Sequence, residues 1–263
     1  MKTQRLSSVL GAEIHGLNLN TIDNSAFDEV RNLFHENMVL VFREQALSLD
    51  SLMLFSQRWG EVVVNPIFNY VESYPGVLQI DNMGKNESVT ENWHYDSTFY
   101  EKPPALTVLS MDTLPAIGGD TMWSNQYAAY ERLSERMKLM LDGLRGVFKG
   151  TRVARASASL DEVPSASHPL VRTHPETGRK ALFVGNPEET LVHLEGMSVA
   201  ESRPILQFLY EHSTTPDNIY RHRWQAGDVL MWDNRCTMHY AIHDYGNEVR
   251  RAFRTTIKGE VPQ

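Results

Sequence analysis

Apolar positions along the chain follow two different periods, and each change of period marks an element. Residues 25–34 place Phe27, Val30, Leu33 and Phe34 three and four apart, the spacing of one helix face, with Ser25 as the expected cap. Met38-Val39-Leu40-Val41-Phe42 is an unbroken apolar run, which predicts a buried strand. A second helix is expected after Ser48 or Asp50, carrying Leu52, Leu54, Phe55 and Trp59 and stopped by Gly60. Further helices are expected over 125–133, 134–144 and 199–212, and short β-prone runs over 77–80, 107–111, 180–184, 228–232 and 250–257. Two polar stretches break this rhythm: 150–167, rich in serine, and 62–90, which carries Phe68, Tyr70 and Tyr74. Both have the character of lids over a site; the plainer alternative is a surface loop and core aromatics.

Composition narrows the class without naming a chemistry. At 263 residues, 41% hydrophobic and 22% charged, the chain is long enough for one domain, 1–263, with a substantial core, and no segment repeats. Cys236 is the only cysteine, which excludes an intrachain disulfide framework and suits a reducing, cytoplasmic setting. No apolar run reaches the length of a membrane span, and the opening Met1-Lys2-Thr3-Gln4-Arg5-Leu6 is too short in apolar residues for a secretory signal. A formal charge of -8 without a basic block disfavours nucleic acid as a partner. Any small anionic ligand must then be met by positive charge gathered locally.

The candidate chemistry lies in Trp93-His94-Tyr95-Asp96 and a distant histidine, His239. On an extended strand, side chains two apart point the same way, so His94 and Asp96 share a side and His239 can complete a face of three ligands. Two histidines and one carboxylate leave three positions of an octahedral metal open, the ligand set of non-haem Fe(II) oxygenases; a catalytic zinc site usually keeps one open. Soon after His239 come Arg250, Ala252 and Arg254, which share one face of a β-prone run. An isolated basic pair is more often a solvated edge. Beside three metal-type donors, two planar guanidinium forks favour small anions held next to the metal.

Four collinear stretches carry a resemblance. Asn92-Trp93-His94-Tyr95-Asp96-Ser97-Thr98-Phe99, Gly118-Gly119-Asp120-Thr121-Met122-Trp123, His168-Pro169-Leu170-Val171-Arg172-Thr173-His174 and Trp232 through Arg254 are similar to the taurine and chlorophenoxyacetate dioxygenase family. These are Fe(II)- and 2-oxoglutarate-dependent oxygenases. The likeness begins near Gly11-Ala12-Glu13-Ile14 and Val39 to Arg43 and spans nearly the whole chain. It implies a fold that is mainly β with flanking α-helices, a double-stranded β-helix (jelly-roll) core with the metal inside its mouth. It further implies His94, Asp96 and His239 as iron ligands and the centre of catalysis, with O2 as co-reactant. Thr121 and Arg250 would grip the distal carboxylate of 2-oxoglutarate, and Arg254 the anionic group of the primary substrate. The substrate positions depart from taurine dioxygenase: Asn65 stands before Pro66 in place of a histidine, Phe68 in place of a tyrosine, and Thr90 in place of an asparagine. Losing those polar groups argues against taurine and for another carboxylate or sulfonate, larger or less polar. Family members often assemble as homodimers or homotetramers.

The implied reaction is hydroxylation coupled to conversion of 2-oxoglutarate into succinate and CO2. Asp96 favours hydroxylation, since related halogenases carry a small residue there. Desaturation or cyclisation stays open, as do a cupin-like metal enzyme that does not use 2-oxoglutarate and a silent anion-binding protein. Other motifs fail. His239 and His243 have zinc-peptidase spacing, but Tyr240 stands where that motif needs glutamate. No Gly-x-Ser-x-Gly elbow occurs, and Gly118-Gly119-Asp120 lacks the spacing of a dinucleotide loop. His168 and His174 precede prolines, which favours structural roles, and His15, His35, His193, His212 and His222 are expected to be surface or satisfied core histidines.

Overall fold

A computed structural model describes residues 1–65, 68–81, 91–151, 154 and 163–263. The fold is mainly β with a few helices. A seven-stranded sheet runs in the order Lys2–Arg5, Ala12–His15, Val39–Phe42, Val229–Asp233, Leu106–Thr113, Arg251–Ile257, Leu78–Asp81. It is antiparallel throughout except where Ala12–His15 meets Val39–Phe42. A three-stranded antiparallel sheet, Ile219–His222, Thr121–Asn125, Thr237–Ala241, lies against it. Val41, Leu109, Leu230, Trp232 and Ala252 of the large sheet and Trp123 and Tyr220 of the small one form a single buried cluster between them.

The opposite face of the large sheet is also covered, which explains its unbroken apolar runs. Leu40, Phe42, Val108, Val229 and Met231 pack there against Phe27, Val30 and Phe34 of the helix Asn24–Asn37 and Leu52 and Phe55 of the helix Leu49–Gln57. Each such side chain contributes roughly 1.5–3 kcal/mol by leaving water, so this central sheet is the rigid frame for whatever its edges carry. A third cluster places Leu206 and Leu209 of the helix Val199–Ser213 over Phe148, Leu182, Leu191, Leu194 and Met238.

Several boundaries differ from the sequence reading. Asp23, not Ser25, caps the first helix: its backbone is extended, and its carboxylate accepts from Ala26 N–H at 2.8 Å, where the helix dipole favours negative charge. Met38 ends that helix in a left-handed conformation (φ 62°), so the strand starts at Val39. Ser48, Asn125 and Ser134 are the caps of their helices, which end at Gln57, Glu131 and Leu141. The strand expected over 180–184 stops at Leu182, pairing with Val171–Thr173. Ser165 and Ser167, read as part of a lid, belong instead to the strand Ser165–Pro169, which pairs with Arg145–Lys149. Residues 152–153 and 155–162 of that stretch, and Pro66, Ile67 and 82–90 of the earlier one, lie outside the described residues.

Candidate metal centre and anion pocket

His239 lies on the strand Thr237–Ala241, which rules out helical zinc-peptidase spacing with His243. His94 joins this strand as a reciprocal pair: His94 N–H donates to His239 O at 3.0 Å and His239 N–H to His94 O at 2.9 Å. Directly opposed side chains on one face are neighbours, and the two imidazole centroids are 4.2 Å apart. Asp96, two residues on, comes to the same side, with Oδ1 3.7 Å from His239 Nε2. One donor atom each from His94, Asp96 and His239 falls within 4.8 Å of the others. These three side chains would hold one ion between them.

The surroundings prepare each donor. His94 Nδ1 lies 2.8 Å from Asn92 O, so it donates there and leaves Nε2 free to ligate. Asp96 Oδ2 is held by Thr107 Oγ1 at 3.1 Å and by Arg254 Nη2 at 2.6 Å, leaving Oδ1 toward His239. Burial lowers the pKa of His94, against the pull of Asp96, and burial together with the His94 charge takes His239 well below the usual imidazole range. Burial works to raise Asp96, but Arg254, His239 and His94 outweigh it and hold the carboxyl low. Neutral imidazoles beside an ionised carboxylate are the protonation states that a divalent cation requires. Arg254 Nε is buried and has no hydrogen-bond partner among the described residues, a donor that a bound oxo-acid or substrate anion would satisfy. The residues fit the group.

A second cluster of metal-type side chains, His174, Asp233 and Cys236, is fully buried. It is already satisfied. His174 Nδ1 accepts from the N–H groups of Glu176 and Thr177, and Nε2 lies 3.0 Å from Asp233 Oδ2. Arg235 binds both oxygens of Asp233, at 2.9 and 2.7 Å, and burial pushes the Cys236 thiol up, away from the thiolate. These groups knot together the turn that leads to His239, in line with the structural role expected for His174.

Ala252 and Arg254 lie on the strand Arg251–Ile257, whereas Arg250, expected on the same strand, is the residue just before it. Arg250 is buried, its guanidinium 5.9 Å from the centre of the Trp224 ring, and that of Arg254 is 5.8 Å from the Trp232 ring; both tryptophans belong to the cluster between the sheets. Trp224 Nε1 donates to Thr121 Oγ1 at 3.0 Å, so one indole touches both residues expected at the distal carboxylate. Asn65 and Phe68 line a cavity of about 100 Å³ together with Asp96, Tyr100, Lys102 and Arg254. Thr90 lies outside the described residues. The sequence reading missed Thr107, Asn234 and Lys102: none has a spacing signature, because their roles arise from contacts between distant segments.

Gly118-Gly119 serves the arginine directly. Gly119 has φ +74°, its carbonyl accepts from Arg250 Nε at 3.1 Å, and an added Cβ would stand 3.1 Å from Arg250 Cδ and Nε. Left-handed backbone costs a non-glycine residue about 1–2 kcal/mol. Gly119→Ala is therefore expected to raise the KM for 2-oxoglutarate on the order of tenfold with little change in the KM of the primary substrate, measured by succinate release.

Two imidazoles and a carboxylate converging between two antiparallel sheets, with guanidinium groups alongside, form a candidate mononuclear non-haem metal centre. Residues 2–256 match the taurine catabolism dioxygenase TauD, TfdA family, and the chain belongs to that family. It is 35% identical to an alpha-ketoglutarate-dependent sulfate ester dioxygenase of Pseudomonas putida, over 96% of this chain and 88% of that protein. It is 34% identical to an alpha-ketoglutarate-dependent 2,4-dichlorophenoxyacetate dioxygenase of Cupriavidus pinatubonensis, over 89% of each. A crystal structure of a taurine dioxygenase from Burkholderia xenovorans is similar with a TM-score of 0.88 and 36% identity, over 99% of this chain and 92% of that one. AAD-2 in complex with Mn(II) and N-oxalylglycine is similar with a TM-score of 0.84 and 27% identity, over 99% of this chain and 98% of that one.

Proposed function

We propose that residues 1–263 form one Fe(II)- and 2-oxoglutarate-dependent dioxygenase domain, with a double-stranded β-helix (jelly-roll) core, that hydroxylates a small organic anion other than taurine. The carrying observation is the convergence of His94, Asp96 and His239, donor atoms within 4.8 Å, beside an arginine-bearing inner face. Bound iron supplies O2 activation, driven by oxidative decarboxylation of 2-oxoglutarate to succinate and CO2. His94, Asp96 and His239 would hold the ion. Thr121 and Arg250 hold the distal carboxylate of 2-oxoglutarate; N-oxalylglycine, bound by a similar protein, is that molecule with NH in place of a methylene. Arg254 anchors the substrate anion, fixing which carbon faces the metal; a misplacement of about an ångström costs on the order of a hundredfold.

The cavity supports an amphiphilic substrate. Arg254 and Lys102 supply positive charge, and Val63, Phe68, Leu78 and Pro104 an apolar wall. Relatives are named for sulfate esters and for 2,4-dichlorophenoxyacetate, the latter a carboxylate on an aryl ring. Among the described residues no helix is long and apolar enough to cross a membrane, and a single buried cysteine supports a reducing, cytoplasmic setting. The test is a panel of alkyl sulfates, sulfonates, aryloxy acids and amino acids, assayed for stimulated succinate release with Fe(II) and ascorbate. An alkyl sulfate or aryloxy acid is expected to stimulate more strongly than taurine. Taurine as the best substrate, or no stimulation by any anion, would contradict the reading.

A further inference from the structure

Asn234 occupies the corner where the chain leaves the large sheet at Asp233 and enters the small sheet at Thr237. It is fully buried. Its side-chain Oδ1 accepts from Asp96 N–H at 2.9 Å, and its Nδ2 donates to Asp96 O at 3.3 Å and to Pro104 O at 3.0 Å. Its own N–H donates to Ala105 O at 2.8 Å. Both backbone polar groups of Asp96 therefore end on one amide.

The reason lies in how two segments part. Residues 94–96 run beside the His239 strand only at the His94–His239 pair, an isolated bridge, and the chain turns away at Ser97, where φ is +49°. Asp96 thus has no strand partner at the point where its side chain must be placed. A carboxamide offers one acceptor and a donor, the same complement as a peptide group, and Asn234 supplies it from the turn that also delivers His239. Thr107 and Arg254 fix the rotation of the carboxylate through Oδ2. Neither fixes where the Cα stands.

We infer that Asn234 is a positioning residue for the metal: it locks the backbone of Asp96 so that Oδ1 stays facing the two imidazoles. This rests on the proposed reading of Asp96 as a ligand. A buried amide that merely satisfied two backbone groups would affect stability alone. A positioning residue changes the metal affinity of the folded protein, and does so only through Asp96.

The experiment is equilibrium titration of the metal-free full-length protein with Mn(II), without turnover, for wild type, Asn234→Ala, Asp96→Ala and the double variant, with Tm measured alongside. Asn234→Ala is expected to weaken Mn(II) binding by about 10–100-fold, the usual range for a group that orients a ligand. In the Asp96→Ala background the same change is expected to cost less than about twofold, because the residue through which it acts is gone. If Asn234→Ala does not fold, Asn234→Asp is read in the same two backgrounds; it fills the same volume and keeps the acceptor but loses both donors. Unchanged affinity with a lowered Tm, or equal losses in both backgrounds, overturns the inference. Mn(II) binding indifferent to Asp96→Ala overturns the ligand reading and this inference with it.

Discussion

His239→Ala is expected to abolish substrate-triggered succinate release, a loss on the order of a thousandfold or more, because all of the redox chemistry depends on the held ion. The fold should survive it. His239 is buried against Trp232, ring centroids 4.9 Å apart, and its truncation leaves every apolar side chain of the clusters on both faces of the large sheet in place. The variant should therefore show a native far-UV spectrum with Mn(II) binding weakened to the level of two ligands. Retained activity together with unaltered metal affinity would show that some other group completes the site.

Arg250→Ala is expected to raise the KM for 2-oxoglutarate by roughly 10–150-fold, since a hydrogen bond to a charged group contributes about 1.5–3 kcal/mol. Its guanidinium lies 5.9 Å from the centre of the Trp224 ring, and its Nε donates to the Gly119 carbonyl at 3.1 Å. Arg254→Ala should act chiefly on the KM of the primary substrate. Because Arg254 also binds Asp96 Oδ2, its loss is expected to weaken the metal as well, an effect Arg250→Ala should lack. Steady-state kinetics with each reactant varied separately, beside Mn(II) titration, tests this division; identical effects of the two variants on both KM values would undo it.

The chemistry was legible in the sequence where residue spacing maps onto local geometry. His-x-Asp and Arg-x-Ala-x-Arg bring their side chains toward one site, though only in part by strand period: His94 makes an isolated bridge to His239, Asp96 already lies in a turn, and Arg250 stands just before the strand Arg251–Ile257. Long apolar runs such as Val39–Phe42 were equally readable, because a strand covered on both faces has no polar side to interrupt it. Thr121–Asn125 and Thr237–Ala241 escaped detection. Both mix Thr, Ser, Asn and His with apolar residues, so neither shows an unbroken apolar run or a clean alternation. Ser25 was mistaken for a cap because two capping types, Asp23 and Ser25, lie close together, and only backbone geometry separates them. Asn234 and Thr107 fall within stretches the sequence singles out, but their roles carry no signal: each acts on Asp96 from a segment far along the chain, and a lone buried Asn or Thr has no pattern of its own.

One ion is expected among His94, Asp96 and His239, and anomalous diffraction at the iron edge from anaerobically grown crystals with Fe(II) and 2-oxoglutarate will locate it. A single strong peak is expected at about 2.1 Å from one nitrogen of each imidazole and one Asp96 oxygen, with the cosubstrate's far carboxylate on Arg250. A peak at His174, Asp233 and Cys236 instead, or none between His94 and His239, would contradict that placement.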